Sequence, residues 1–194
     1  EEFNQTSLFS SLNNSISLKQ EQKQRKEIDF SEFNFNEKFS FLIKEDICYF
    51  ASENFVTKTD IKNAKSILED ETKKKIAFDI KKSLYIYPEI KGVVEDIMLT
   101  SYVFDSSRSH LLVNQAESYL DLIEETDISL AGAIYDLSKV YEKKLSEQEK
   151  KLSKLELDLA YVLFKMEKQG VCLDLAYMGE LKKEIDAKIN ELEN

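Results

Sequence analysis

Apolar residues alternate with polar neighbours in three short runs near the start of the chain: Ile28, Phe30, Phe33 and Phe35; then Phe39, Phe41 and Ile43; then Ile47, Tyr49 and Ala51. A two-residue period puts successive side chains on opposite faces of a strand, so the pattern predicts an antiparallel meander of about 25 residues. Helical spacing takes over at Thr57. Thr59 is placed to cap a helix in which Ile61, Ala64 and Leu68 share a face. Ile76-Ala77-Phe78 reads as a short buried strand, and a helix follows from Asp79 with Ile80, Leu84 and Tyr85 turned inward until Pro88 stops it. Val93-Val94 predicts another short strand, ahead of helices at Asp96–Phe104 and His110–Leu120.

Beyond Asp127 there is no proline, and no glycine separates Gly132 from Gly170. Ile134, Leu137 and Tyr141 form one helical stripe; Leu152, Leu155, Leu159, Val162 and Met166 form a second with 3-4-3-4 spacing. Between them Ser146 and Glu149 fit a capping box, which breaks the segment into two helices near Leu145. Gly170 ends the second helix, and a last amphipathic helix starts at Leu175. Residues 1–26 are polar, with 20–26 read as a solvated run and Phe3, Leu8, Phe9 and Leu12 as a short docking helix. No internal repeat is visible.

Composition sharpens this. Four glycines and one proline in 194 residues are far too few turn-formers for an all-β sandwich, so helix should dominate a mixed α/β chain. The net charge of −10 repels phosphate and argues against a stand-alone nucleic-acid binder. Cys48 and Cys172 make no disulfide framework and read as thiols of a reducing cytoplasm, while the one histidine, His110, excludes a His-rich zinc site. No apolar run is long enough to span a membrane. A chain that begins at Glu1 rather than Met reads as a fragment or processed segment.

Three segments carry a resemblance. Glu95-Asp96-Ile97-Met98-Leu99-Thr100-Ser101-Tyr102, followed by His110 and Ala116-Glu117-Ser118-Tyr119-Leu120, resembles an FDTML-x-SY helix with its downstream H and LAE-x-Y-L elements. Glu156 to Met166-Glu167-Lys168-Gln169-Gly170-Val171 and Asp174 is similar to the ME-x-x-GV segment that opens a polymerase domain. Glu71-Thr72-Lys73-Lys74-Lys75-Ile76-Ala77-Phe78-Asp79 looks like a second exonuclease motif of Bacillus type. In this order they resemble the 3′–5′ exonuclease-like domain of bacterial family A DNA polymerases, the DNA polymerase I type. The resemblance implies a ribonuclease H-like exonuclease fold, with an N-terminal antiparallel meander and a helix-rich C-terminal part. It also implies a domain plan: 1–26 a linker from an upstream 5′-nuclease domain, 27–150 the exonuclease-like domain, 151–194 the first helices of the polymerase domain.

Active exonucleases of this fold use two metal ions, about 4 Å apart, that stabilise the attacking and leaving oxygens. Hard cations need oxygen ligands, so about four carboxylates must converge. The family draws them from an Asp-x-Glu on the first strand, an Asp in the second motif and an Asp in a Tyr-x-x-x-Asp third motif. Here Asp29 is followed two residues on by Ser31, and Asp29 and Glu32 on a strand would face opposite ways. Asp79 remains as a vestigial position, with Lys75 in place of the family's Asn. The third motif aligns with Leu130 at the Tyr position and Ile134 at the Asp position. The expectation is a catalytically inactive segment with no metal or cofactor of its own, Mg²⁺ belonging to the polymerase activity of the longer protein.

Plainer readings stand beside these. Asp79 is placed to cap a helix, Lys73-Lys74-Lys75 to be a solvated loop, His110 to be a hydrogen-bonded packing residue and Cys172 to be a small buried hydrophobe. Phe30, Phe33, Phe35, Phe39 and Phe41 read as core rather than as base-stacking aromatics. The expected role is structural, in DNA replication and repair: a cytoplasmic monomer whose partner is the polymerase domain of the same chain, reached through the buried stripe Leu159, Val162, Leu163 and Met166, and which meets DNA through the full-length enzyme. Two alternatives remain: a working proofreading nuclease with Asp29, Glu32, Asp79 and Asp136 as an unorthodox metal site, and a helical adaptor binding a protein through an Ile134–Met166 seam.

Overall fold

In the computed structural model, which describes residues 25–120 and 125–193, the elements follow in the order β1 (Lys26–Glu27), β2 (Phe39–Lys44), β3 (Ile47–Ala51), β4 (Phe55–Asp60), α1 (Ile61–Glu69), β5 (Lys75–Ala77), α2 (Ile80–Ile86), β6 (Val93–Asp96), α3 (Ile97–Phe104), α4 (Leu112–Leu120), α5 (Asp127–Lys144), α6 (Glu147–Gln169) and α7 (Leu175–Glu193). The strands form one mixed sheet in the order β1-β4-β3-β2-β5-β6. β2, β3 and β4 are an antiparallel meander, while β5 and β6 run parallel to β2.

Period-two alternation on β2 splits the core. Phe39, Phe41 and Ile43 face one side, with Cys48 and Phe50 of β3, and are covered by Ala64 and Leu68 of α1, Ile80 and Leu84 of α2, and Leu157, Ala160 and Phe164 of α6. Ser40 and Leu42 face the other side, under α5 and α4, where Ile76, Ala116, Leu120, Ile134, Leu137 and Tyr141 are buried. The molecule is thus a mixed α/β sandwich with helices on both faces of its sheet.

The meander lies one run later than the alternation predicts. Ile28–Phe35 is not a strand beyond Lys26–Glu27; Phe30–Glu32 is a 3₁₀ turn, and Phe30, Phe33 and Phe35 fold inward onto Phe39 and Phe50. Phe35 meets Phe50 edge-on with ring centroids 5.3 Å apart. Short-range aromatic clustering and strand alternation give the same spacing, and only the ladder tells them apart. The third strand is Phe55–Asp60, so Thr59 sits inside a strand; Asp60 is the cap of α1, accepting from Asn63 N–H at 2.8 Å. Tyr85, expected inward, is 55% exposed.

The capping box that separates α5 from α6 is present, with Ser146 and Glu149 bonding reciprocally. The apolar stripe of α6, however, faces outward. Leu155, Val162 and Met166 are more than half exposed, and Leu152, Leu159 and Leu163 nearly so; Leu157, Ala160 and Phe164 carry the packing. Leu157 and Leu159 lie about 200° apart around a helix, so α6 has two apolar faces and this domain uses one. α7 buries no residue, and the turn before it leaves Cys172 exposed instead of packed. No helix among the described residues is long and apolar enough to cross a membrane. The docking helix read at Phe3–Leu12 lies outside the described residues.

Candidate functional site

The central strand β2, the end of β5 and helix α5 pack together around the residues singled out by the second and third motifs. Asp79 follows β5 directly. Its φ of +53° puts it in the left-handed region, and its carboxylate caps α2 by accepting from Lys82 N–H at 3.1 Å. Behind it lies Asp96, the cap of α3, which is 1% exposed. Asp96 Oδ1 accepts from the N–H groups of Asp79 (3.2 Å), Met98 (2.9 Å) and Leu99 (3.3 Å), and Oδ2 accepts from Ile80 N–H at 2.5 Å. Burial pushes this carboxyl up to about 6, against the opposing pull of the backbone donors. Three of these donors converge on Oδ1 and one on Oδ2, so Asp96 is engaged by two helix starts.

The face of β2 beneath α5 offers no acid. Ser40, fully buried, lies with its hydroxyl 2.7 Å from Ala131 O and 3.2 Å from Ala51 O, which ties the strand to α5. Leu42 packs among the same residues. Ile134, expected from the resemblance at the third-motif acid position, is 0% exposed beside Ile76, Ile97 and Leu137, and Leu130 packs against that cluster.

The other predicted ligands are dispersed. Asp29 and Ser31 are exposed, at the cap and in the middle of the 3₁₀ turn that leads off the β1 edge, with Glu32 N–H bonding back to Asp29 O; they are not the paired strand positions expected. Asp136 is engaged by the Arg25 guanidinium through two contacts of 2.6 and 3.0 Å. Among the described residues no three His, Cys, Asp or Glu side chains gather to hold a metal ion. The donor set does not fit the two Mg²⁺ ions that the resemblance implies for an active nuclease.

His110 is a packing residue. Ser101 Oγ lies 2.7 Å from Met98 O and 2.8 Å from His110 Nδ1, and Tyr102 stacks on the imidazole at 3.4 Å. Buried Gln115 completes the group, donating to Ser101 Oγ and His110 O and accepting from Tyr141 OH. Along the seam expected from Ile134 to Met166 the two ends differ, the first being fully buried and the second 62% exposed.

Sequence reasoning missed two charged groups. Lys75, read as part of a solvated loop, is fully buried, its Nζ donating to the carbonyls of Asp70 (2.6 Å), Lys91 (2.8 Å) and Lys73 (3.2 Å). Its place at the start of a buried strand was the available signal. Arg25, read within a solvated run, has a guanidinium side chain only 4% exposed. Nothing in its polar neighbours announces that.

With this geometry in hand, the family described as DNA polymerase I, ribonuclease H-like domain, matches residues 27–153. Comparison with curated proteins gives no match. Among solved structures, the chain is similar to the POL domain of Pol1 from M. smegmatis in complex with DNA primer-template and dNTP, with a TM-score of 0.67 and 21% sequence identity. That likeness is one of fold. It covers 75% of this chain and 29% of the M. smegmatis chain, so this chain spans less than a third of that protein's length.

Proposed function

The chain belongs to the DNA polymerase I ribonuclease H-like domain family, and on that premise we propose that it is the exonuclease-like segment of a DNA polymerase I in which nuclease chemistry has been replaced by a structural role. The observation that carries this is Ile134: at the third-motif acid position it is an interior residue, sealed between α5 and the sheet. Ser40 and Leu42 on the facing strand supply no compensating acid, and Asp79 works as a helix cap. Under this reading the polymerase portion of the longer protein provides the Mg²⁺-dependent synthesis and the main contact with DNA in replication and repair. This segment, at −10, contributes little DNA affinity itself.

The structural role falls to α6. One of its faces is locked into the domain by Leu157, Ala160 and Phe164, while Leu155, Leu159, Val162 and Met166 are left facing outward as an apolar surface for the polymerase portion to cover. Cys48, a buried free thiol whose ionisation burial pushes up to about 12, is inert and fits a cytoplasmic protein. The test is degradation of 5′-labelled single-stranded DNA with Mg²⁺ or Mn²⁺, by the chain and by its Asp79→Ala variant. Absence of shortening in both supports the reading. Metal-dependent 3′ shortening that Asp79→Ala abolishes overturns it.

A further inference from the structure

Helix α5 carries a seat for one guanidinium group, and the chain itself fills it. Arg25 Nη1 and Nη2 meet the two oxygens of Asp136 at 3.0 and 2.6 Å, its Nε donates to Ser52 O at 2.6 Å, and its charge lies 5.6 Å from the centre of the Tyr135 ring. Asp136 is 15% exposed and Arg25 4%, so this is a sheltered, two-pronged ion pair of the kind that holds geometry, unlike single contacts between exposed charges. The floor of the seat is Gly132. A Cβ there would stand 2.8 Å from Arg25 Nη1 and 3.5 Å from Cζ, inside contact distance of a group pinned on three sides. Glu53 pairs with Lys139 beside it, joining the β3–β4 turn to the same helix.

We propose that Arg25 is an anchor: it fixes the point at which the chain enters the domain ahead of β1, and Gly132 is the notch that receives it. The neighbouring strand β1 is only two residues long, and its short parallel pairing with β4 would hold the chain weakly without that anchor. The inference concerns the path of the chain and does not depend on whether the domain is a nuclease.

Trypsin reads the state of Arg25 directly, because cleavage after it requires the guanidinium to leave its seat. In the intact chain, cleavage of the Arg25–Lys26 bond is expected to be at least about tenfold slower than in a synthetic peptide of residues 20–30, since proteolysis tracks the population of the open form. The β1 ladder also protects this bond, so the variants decide. Gly132→Ala puts a methyl group into the notch while favouring the helix; Arg25→Lys keeps a trypsin site but loses the fork. Both are expected to bring cleavage about tenfold or more toward the peptide rate, with the far-ultraviolet spectrum unchanged. Wild-type cleavage at the peptide rate, or slow cleavage unaltered in both variants, overturns the proposal. Either result leaves the nuclease assay, and the reading it tests, untouched.

Discussion

The backbone N–H of Asp79 donates to Asp96 Oδ1 at 3.2 Å, and through this contact a buried carboxylate holds the residue before α2 in a left-handed turn. A non-glycine residue with φ of +53° costs about 1–2 kcal/mol and persists where its surroundings enforce it. Asp96 is that enforcement, because the same side chain also takes the first N–H groups of α2 and α3.

In Asp96→Asn one of the two carboxylate oxygens becomes an amide NH2 facing backbone donors, which is expected to cost about 2–3 kcal/mol at neutral pH. The pH dependence has a definite sign. With its folded value raised to about 6 from 3.8, Asp96 binds more protons in the folded state across that window. Its contribution to stability is therefore complete below pH 3.8 and is lost as pH rises through 6. Urea titrations should show wild type losing stability relative to Asp96→Asn over that interval; parallel curves would refute the assignment.

Lys75 gives the opposite trend. Burial lowers its amine to about 8 from 10.5, so between those values the unfolded chain binds more protons and stability should rise with pH, by no more than about 1.4 kcal/mol per unit. Lys75→Met removes the titration and strips the buried carbonyls of their shared donor. Gly92, with φ of +69° and no room for a Cβ against Lys73 O, keeps the strand in reach of that donor. Comparing stability at pH 8 and pH 10, the increment should be larger in wild type than in Lys75→Met. An equal increment would place the titration elsewhere.

Local chemistry was readable along the chain where one element determined it. Ser146 and Glu149 form their box within a single turn, and β2 shows its period because Phe39, Phe41 and Ile43 enter one core cluster; in β3 the phase is the reverse of the one expected, with Cys48 and Phe50 facing that cluster and Ile47 39% exposed. What failed depended on partners distant in sequence. Phe30, Phe33 and Phe35 imitate a strand because each seeks the same aromatic cluster, built with Phe50. Arg25 sits in a polar run and is buried by Asp136, 111 residues away. At the site, the apolar Leu130 and Ile134 are plain in the sequence, but the alternation points to a strand at Ile28–Phe33, where the structure has a turn, and the central strand is Phe39–Lys44.

The two faces of α6 separate by mutation. Phe164, 6% exposed and edge-on to Tyr85 at 5.2 Å, should cost about 3 kcal/mol or more when replaced by Ala. Leu163→Asp, at a residue 39% exposed, should change the stability of this chain by about 0.5 kcal/mol and lower the melting temperature of the longer polymerase by far more. Thermal melts of both proteins carrying each substitution distinguish the faces. A large loss from Leu163→Asp in this chain alone would mean that the outward face is already covered.

Restoring an acid at the third-motif position should not restore a metal centre. Ile134→Asp would bury a carboxylate at a site with no exposure, beside Ile76, Ile97 and Leu137, and isolated buried charge costs several kcal/mol unless it takes up a proton or finds a cation. A cation needs further oxygen ligands. The oxygens at hand are few: Ser40 offers one neutral hydroxyl tied to Ala131 O, Leu42 offers none, and Asp96 already takes four backbone N–H donors. The expected result is a melting temperature lowered by many degrees, with millimolar Mg²⁺ or Mn²⁺ giving no recovery. If either metal raised the melting of Ile134→Asp while leaving wild type unchanged, a latent ligand set would exist around α5.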